Sequence, residues 1–209
     1  MIAAPPVAVA VSPARVSLAA GETQALHIAN RGTEPAAVRV TTAGYTLGLR
    51  GRIRILEAHS AVVVRPARLV VPPRGSADVA VSARAAGPGD HPSLVLFTTE
   101  RAATDIAVRL RLGVMVLVRG RGAVVHRLLA DRVVAGARHL DLWLRNAGNV
   151  AEPLRIRLRV GGRWLHDSRL ILPHARAVAT FSTRVSAARA EVEVAYGGGV
   201  LRRTLRIRR

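Results

Sequence analysis

Apolar and polar residues alternate along most of this chain. Val108, Leu110, Leu112, Val114 and Val116 stand against Arg109 and Arg111, and Ile156, Leu158 and Val160 stand against Arg155, Arg157 and Arg159. A period of two puts each apolar set on one face of a pleated strand and the guanidinium groups on the other. No stretch holds apolar residues at i, i+3, i+4 and i+7 with caps for three turns, so helices are not expected. Turn chemistry recurs at short intervals, in Ala20-Gly21-Glu22, Asn30-Arg31-Gly32, Pro72-Pro73-Arg74-Gly75, Gly87-Pro88-Gly89-Asp90, Asn146-Ala147-Gly148-Asn149 and Gly197-Gly198-Gly199. Short strands joined by such turns predict an all-β chain of sandwich architecture.

An internal echo sets the number of sandwiches. Ile28-Ala29-Asn30-Arg31-Gly32 leads through Glu34-Pro35 into Val38-Arg39-Val40, and Leu144-Arg145-Asn146-Ala147-Gly148 leads through Glu152-Pro153 into Ile156-Arg157-Leu158. Leu69-Val70-Val71-Pro72-Pro73 ahead of Val79-Ala80-Val81 is matched by Leu170-Ile171-Leu172-Pro173 ahead of Val178-Ala179-Thr180-Phe181. The expectation is two tandem immunoglobulin-like sandwiches, residues 1–118 and 122–209, with a hinge at 119–121 in the Arg119-Gly120-Arg121-Gly122 run. The first carries an extra segment from Gly44 to Val62. Trp143, Trp164, Phe97 and Phe181 all fall in strand-like runs and read as core residues.

Composition narrows the function. The chain has 209 residues, half of them hydrophobic, enough for two cores. It holds 32 basic and 13 acidic residues, for a formal net charge of +19, and every basic residue counted there is Arg. Such an excess makes an anionic partner a candidate, although GC-rich codon usage is an equally direct source of arginine. Cysteine is absent, which removes disulfides, thiolate metal sites and Cys nucleophiles. The longest apolar run, Leu112 to Val118, is far short of a bilayer span, so no transmembrane segment is expected. Met1 to Ala10 is apolar but has no basic start, and reads as the stub of a leader whose signal portion is missing from this stretch.

Catalytic patterns do not form. His27, His59, His91, His126, His139, His166 and His174 are spread singly, with no pair spaced to hold one metal. His166-Asp167-Ser168 are adjacent, the wrong arrangement for a triad assembled from separate segments, and no nucleophile elbow or phosphate-binding loop is present. Asp131, Asp141, Glu152 and Asp167 do not cluster. The expectation is a non-enzyme without cofactor or metal. The stripe Arg155, Arg157 and Arg159 has two readings, a grip on an anionic wall polymer or lipid headgroups, or the solvated face of a one-sided sheet. With 3% aromatic residues there is little to stack on bases, so nucleic acid is not the expected partner.

Several of these segments carry a resemblance. Val9 to Val16, Gly21-Glu22, Asn30 with Gly32, Pro66 with Leu69 to Pro73, Phe97 and the run Val108 to Val114 look like the immunoglobulin-like first domain of periplasmic pilus-assembly chaperones. They are similar also to bacterial envelope modules of the WxL-interacting type. The part from Asn146 to Val150 resembles the sandwich that follows in such proteins. The resemblance implies a secreted or cell-envelope assembly module that binds a pilin-like or surface protein by strand addition along Ile106 to Val118. In the chaperones, two basic residues on the first and last strands of the first domain hold the partner's terminal carboxylate between the domains. Arg15 stands at the first position and Arg109 or Arg111 at the second, with Val108, Leu110, Leu112 and Val114 as the strand's alternating apolar residues. The chaperone strand ends in Arg-Pro where this chain has Arg119-Gly120. A structural surface spacer is the other expectation for the fold.

Overall fold

The computed structural model describes residues 7–57, 59–84, 86–100, 110–184 and 187–209. Every helix or strand among them is a strand. In chain order these are β1 (Val9–Ser12), β2 (Arg15–Ala19), β3 (Thr23–Asn30), β4 (Ala36–Leu47), β5 (Ile53–Leu56), β6 (Val62–Arg65), β7 (Arg68–Val71), β8 (Ser76–Ala83) and β9 (Asp90–Thr99). They continue with β10 (Arg111–Arg119), β11 (Leu128–Ala135), β12 (His139–Asn146), β13 (Glu152–Val160), β14 (Arg163–Ile171), β15 (Arg176–Ser182), β16 (Arg189–Tyr196) and β17 (Gly199–Arg208). The chain divides into two compact units, one of residues 1–45, 55–87 and 91–121, the other of residues 46–54, 88–90 and 122–209.

The first unit is built from a sheet of order β1-β3-β8-β6 and a sheet of order β2-β10-β9-β4-β5, with β7 also paired to the start of β4, at Ala36–Arg39. Alternation decides which side chains go inward. Leu26, Ile28, Val79 and Val81 from one sheet meet Leu18, Val38, Phe97 and Val116 from the other, all at most 2% exposed. The segment expected as an insertion from Gly44 to Val62 contains the end of β4, β5 and the start of β6.

The second unit is a single strand path, β14-β13-β16-β17-β11-β12-β15. β17 pairs along its length with β16 but with β11 only at Val133 with Ile207 and Val134 with Arg208, so the path folds into two layers there. Leu140, Leu142 and Leu144 of β12 pack in one core with Leu154, Ile156 and Leu158 of β13 and Val192 and Val194 of β16. The β13–β14 hairpin turns at Gly161 and Gly162, both at positive φ (54° and 81°), the backbone that a two-residue turn between twisted strands requires.

The sequence echo is a repeated hydrogen-bonding device. Asn30, 1% exposed, accepts from the Gly32 amide at 2.9 Å and donates to the Glu34 carbonyl at 2.7 Å and to the Val71 and Pro72 carbonyls at 3.3 Å. Asn146, fully buried, accepts from the Gly148 amide at 2.9 Å and donates to the carbonyls of Val150 at 2.7 Å and Leu172 at 3.1 Å. Their own amides donate to Gly75 and Ala175, each beside a residue in the left-handed region, Arg74 (φ 54°) and His174 (φ 55°). One buried amide thus ties a strand end, its turn and a second loop together, satisfying groups that burial would otherwise penalise.

Two expectations are corrected. Neither tryptophan is core. Trp143 is half-buried on the outward face of β12 with the Arg132 guanidinium 4.2 Å from its ring centre, and Trp164 is 39% exposed with Arg157 at 4.5 Å and Arg159 at 5.8 Å. Both sit at the outward parity of their strands, Trp143 between the buried Leu142 and Leu144 and Trp164 beside the half-buried Leu165. The run expected to act as one strand from Ile106 to Val118 is strand, among the described residues, only from Arg111, as β10 covers Arg111–Arg119. Residues 106–109 of that run lie outside the described residues.

Candidate functional site

The sequence directs attention to β10, which lies between β2 and β9. β2 runs parallel to it, pairing Arg15 with Met115 through Ala19 with Arg119, and the Met115 amide donates to the Ala14 carbonyl at 3.1 Å. β2 starts at Arg15, so among the described residues no strand pairs with Arg111–Val114 on that side. On the other side the Leu110 amide donates to Thr99 Oγ1 at 2.9 Å, and the Thr99 amide donates to the Leu110 carbonyl at 3.0 Å. Alternation then sends the backbone groups of residues 110, 112 and 114 toward β9, and those of Arg111 and Gly113 to the open edge. Gly113 adds no side chain beside that edge.

The side chains named from sequence fall into different places. Leu110 and Leu112 are half-buried, with Leu112 packed against the core. Val114 is 1% exposed: its side chain packs in the core of its own sandwich, and its backbone groups face β9. Val108 and Arg109 lie outside the described residues.

Arg15 and Arg111 are exposed, but the structure does not bring them together. Arg15 stands opposite Met115, four residues past Arg111, or about 13 Å along the strand at roughly 3.3 Å per residue. Its neighbour is Tyr45 on β4, whose phenol burial raises above its usual value while the Arg15 charge opposes that rise. Arg111 belongs to the other end of the sheet. It shares a depression of about 290 Å³ with Arg39, Thr98 and Glu100. There Arg39 Nε is 2.8 Å from Glu100 Oε1, and Arg68 Nε is 3.6 Å from the same oxygen. Arg39, Arg68 and Glu100 were not legible as a group, because their meeting depends on strand order and not on spacing in the chain.

The stripe on β13 is more self-contained than its sequence suggests. Arg157 pairs with Glu193 at 3.1 Å and Arg159 with Glu191 at 3.5 Å, each across the β13–β16 ladder. Arg202 holds the second Glu193 oxygen at 3.1 Å, and that hydrogen bond leads the causes that hold the Glu193 carboxyl below its usual value. Arg155, opposite Ala195, has no ion pair among the described residues.

The adjacent His166, Asp167 and Ser168 do not form a triad. Asp167 is held by Arg169 at 2.7 Å, and His166 lies exposed opposite Arg157. The pair that sequence reasoning missed is His126 Nδ1 with Glu152 Oε1 at 2.6 Å, where Glu152 is 1% exposed and its Oε2 accepts from the Gly197 amide at 2.8 Å. Gly197 has no room for a side chain, since a Cβ would lie 2.8 Å from the His126 ring and 2.9 Å from Glu152. That arrangement ties His126 and Glu152 to the β16–β17 turn.

No family model matches the sequence, and no curated protein matches it. Solved structures do. The chain is similar to the class 5 fimbriae chaperone CfaA at 13% identity, covering 95% of this chain and 99% of that one, with a TM-score of 0.64. It is similar to the complex of the CsuC chaperone with the tip subunit CsuE from the archaic Csu pili of Acinetobacter baumannii, at 12% identity over 96% and 98% of the chains and a TM-score of 0.59. The Salmonella enterica SafB chaperone bound to SafA pilin follows at 14% identity, 95% and 96% coverage and a TM-score of 0.58. The fold is therefore that of the PapD-like pilus chaperones, two tandem immunoglobulin-like β-sandwiches.

Proposed function

We propose that this protein is a non-enzymatic assembly module of the cell envelope that binds an extended segment of a partner protein by strand addition at the open edge of β10. The observation that carries the reading is the stretch Arg111–Val114, unpaired on that side among the described residues, in a strand whose continuation, Met115–Arg119, is paired there. An exposed row of backbone groups is a docking template unless it is blocked, and Gly113 leaves this one unobstructed. Structures of the same fold captured with pilin or tip subunits support a protein partner, and a location outside the cytoplasm accords with that role. The polyanion reading has less support, because Arg157 and Arg159 are already engaged by glutamates.

Gly113→Pro tests the edge. Its amide points away from β9, so proline removes a donor that the protein's own sheet does not use there. The probe is a ten-residue synthetic peptide of alternating valine and threonine. In the unsubstituted protein the Arg111 and Gly113 amides should exchange fast, and slow at least tenfold when the peptide is bound. Gly113→Pro should keep its circular dichroism spectrum and lose the peptide. Amides that are already protected in the free protein, or binding that survives the proline, would refute the reading.

A further inference from the structure

The outward face of the first unit carries a row of cations that ends at this edge. Arg68 of β7 stands directly opposite Arg39 of β4, and Arg39 directly opposite Thr98 of β9. The hydrogen bonds between Thr99 and Leu110 set Thr98 beside Arg111 of β10. Two of these guanidinium groups share one carboxylate, Glu100, whose Oε1 is taken by Arg39 at 2.8 Å and approached by Arg68 at 3.6 Å. Arg111, last in the row, has no ion pair among the described residues and lines the same depression.

Like charges directly opposite on a sheet destabilise it, and Glu100 offsets this for Arg39 and Arg68 alone. A strand laid on the open edge would place one residue beside Arg111, with Cβ atoms about 4.5–5.5 Å apart. A Lys or Arg there would extend the row of like charges. An apolar residue would shield Arg111 from water without pairing it, whereas a carboxylate would accept two parallel N–H bonds from the guanidinium.

We infer that the partner segment carries an Asp or Glu opposite Arg111, and that Arg111, backed by the Arg39–Arg68–Glu100 group, selects for it. The inference rests on the strand-addition reading and adds to it the chemistry of the added strand. This carboxylate belongs to a side chain within the strand, at the end of the sheet away from Arg15.

The test uses two versions of the valine–threonine peptide that differ at one central residue, Glu or Lys. The protein should prefer the Glu peptide roughly tenfold, the scale of one exposed ion pair gained and one repulsion avoided. Arg111→Glu should reverse the preference, while Arg163→Glu, an equal change of charge on β14, should leave it intact. A general attraction of a chain of net charge +19 for acidic peptides would survive Arg111→Glu, and that result overturns the inference. Equal binding of both peptides, with the Arg111 and Gly113 amides protected, overturns the inference and leaves strand addition standing. If neither peptide protects those amides, strand addition fails and takes the inference with it.

Discussion

Replacing Asn146 with alanine should unfold the second unit early, and by a predictable amount. The side chain is fully buried and makes three hydrogen bonds of 2.7–3.1 Å to the Gly148 amide and the Val150 and Leu172 carbonyls. Alanine leaves all three backbone groups in the interior without that partner. At about 1 kcal/mol net per bond, and more for groups left desolvated, the loss is about 3 kcal/mol. Both tryptophans, Trp143 and Trp164, lie in the second unit, so tryptophan fluorescence in urea follows that unit alone. With a slope of about 1 kcal/mol per molar urea, the midpoint should fall by about 3 M. Asn146→Asp should be as severe, because a carboxylate can accept from Gly148 but cannot donate to the two carbonyls. Asn30→Ala breaks the equivalent device in the other unit and should leave the fluorescence midpoint in place. A loss below about 1 kcal/mol for Asn146→Ala would show that the turn backbone closes without the amide, and would refute the argument.

Leu158→Ala, at a fully buried position of β13, should cost about 3 kcal/mol in the same assay, the usual scale for a leucine cavity. Glu193 should titrate below the ordinary carboxylate value of 4.5, and Arg202→Gln should bring it back toward that value in an NMR titration. Because its folded value is depressed, whatever the group adds to stability is present above the ordinary value and lost as pH falls through the folded one. Tyr45 has the opposite sign: its phenol is raised above 10.0 by burial, so the unfolded chain releases that proton first and stability falls as pH rises through the ordinary value. Ultraviolet titration should find Tyr45 ionising late, and Arg15→Ala, which removes the opposing charge, should delay it further.

The elements were legible where period and turn chemistry agreed. Alternation at Ile156, Leu158 and Val160 against Arg155, Arg157 and Arg159 placed both faces of β13, and the Asn-x-Gly echo marked two turns that use the same hydrogen bonds. The tryptophans misled because size was weighed above parity. Trp143 shares its face with His139, Asp141 and Arg145, and that polar set was visible in the sequence. The site was less legible for a different reason. Arg15 and Arg111 were paired on the assumption that the first and last strands of one domain bring their basic residues level. The strands are neighbours, yet the register sets Arg15 against Met115, and a register is fixed by packing and turn geometry that a single strand's sequence does not encode. The Arg68–Arg39–Thr98–Arg111 row needs four strands from three parts of the chain, so no local pattern announces it.

The arginine excess acts on association in two distinct ways. Glu193 is shared by Arg157 and Arg202, Glu100 by Arg39 and Arg68, and Glu191 and Asp167 hold Arg159 and Arg169. With 32 basic residues against 13 acidic ones, most guanidinium groups have no carboxylate to themselves. That surplus creates a long-range positive field, which speeds encounter with any acidic surface and fades as salt shortens the Debye length. A field of this kind does not discriminate between partners, because moving one arginine elsewhere on the surface barely changes it. On the strand-addition proposal, selection falls to features that are local and directional, namely the Arg111 and Gly113 backbone groups and a single guanidinium beside them. The two contributions separate by experiment: raising salt should slow association of every acidic peptide alike, whereas Gly113→Pro and Arg111→Glu should act mainly on dissociation, and only for a segment seated on β10.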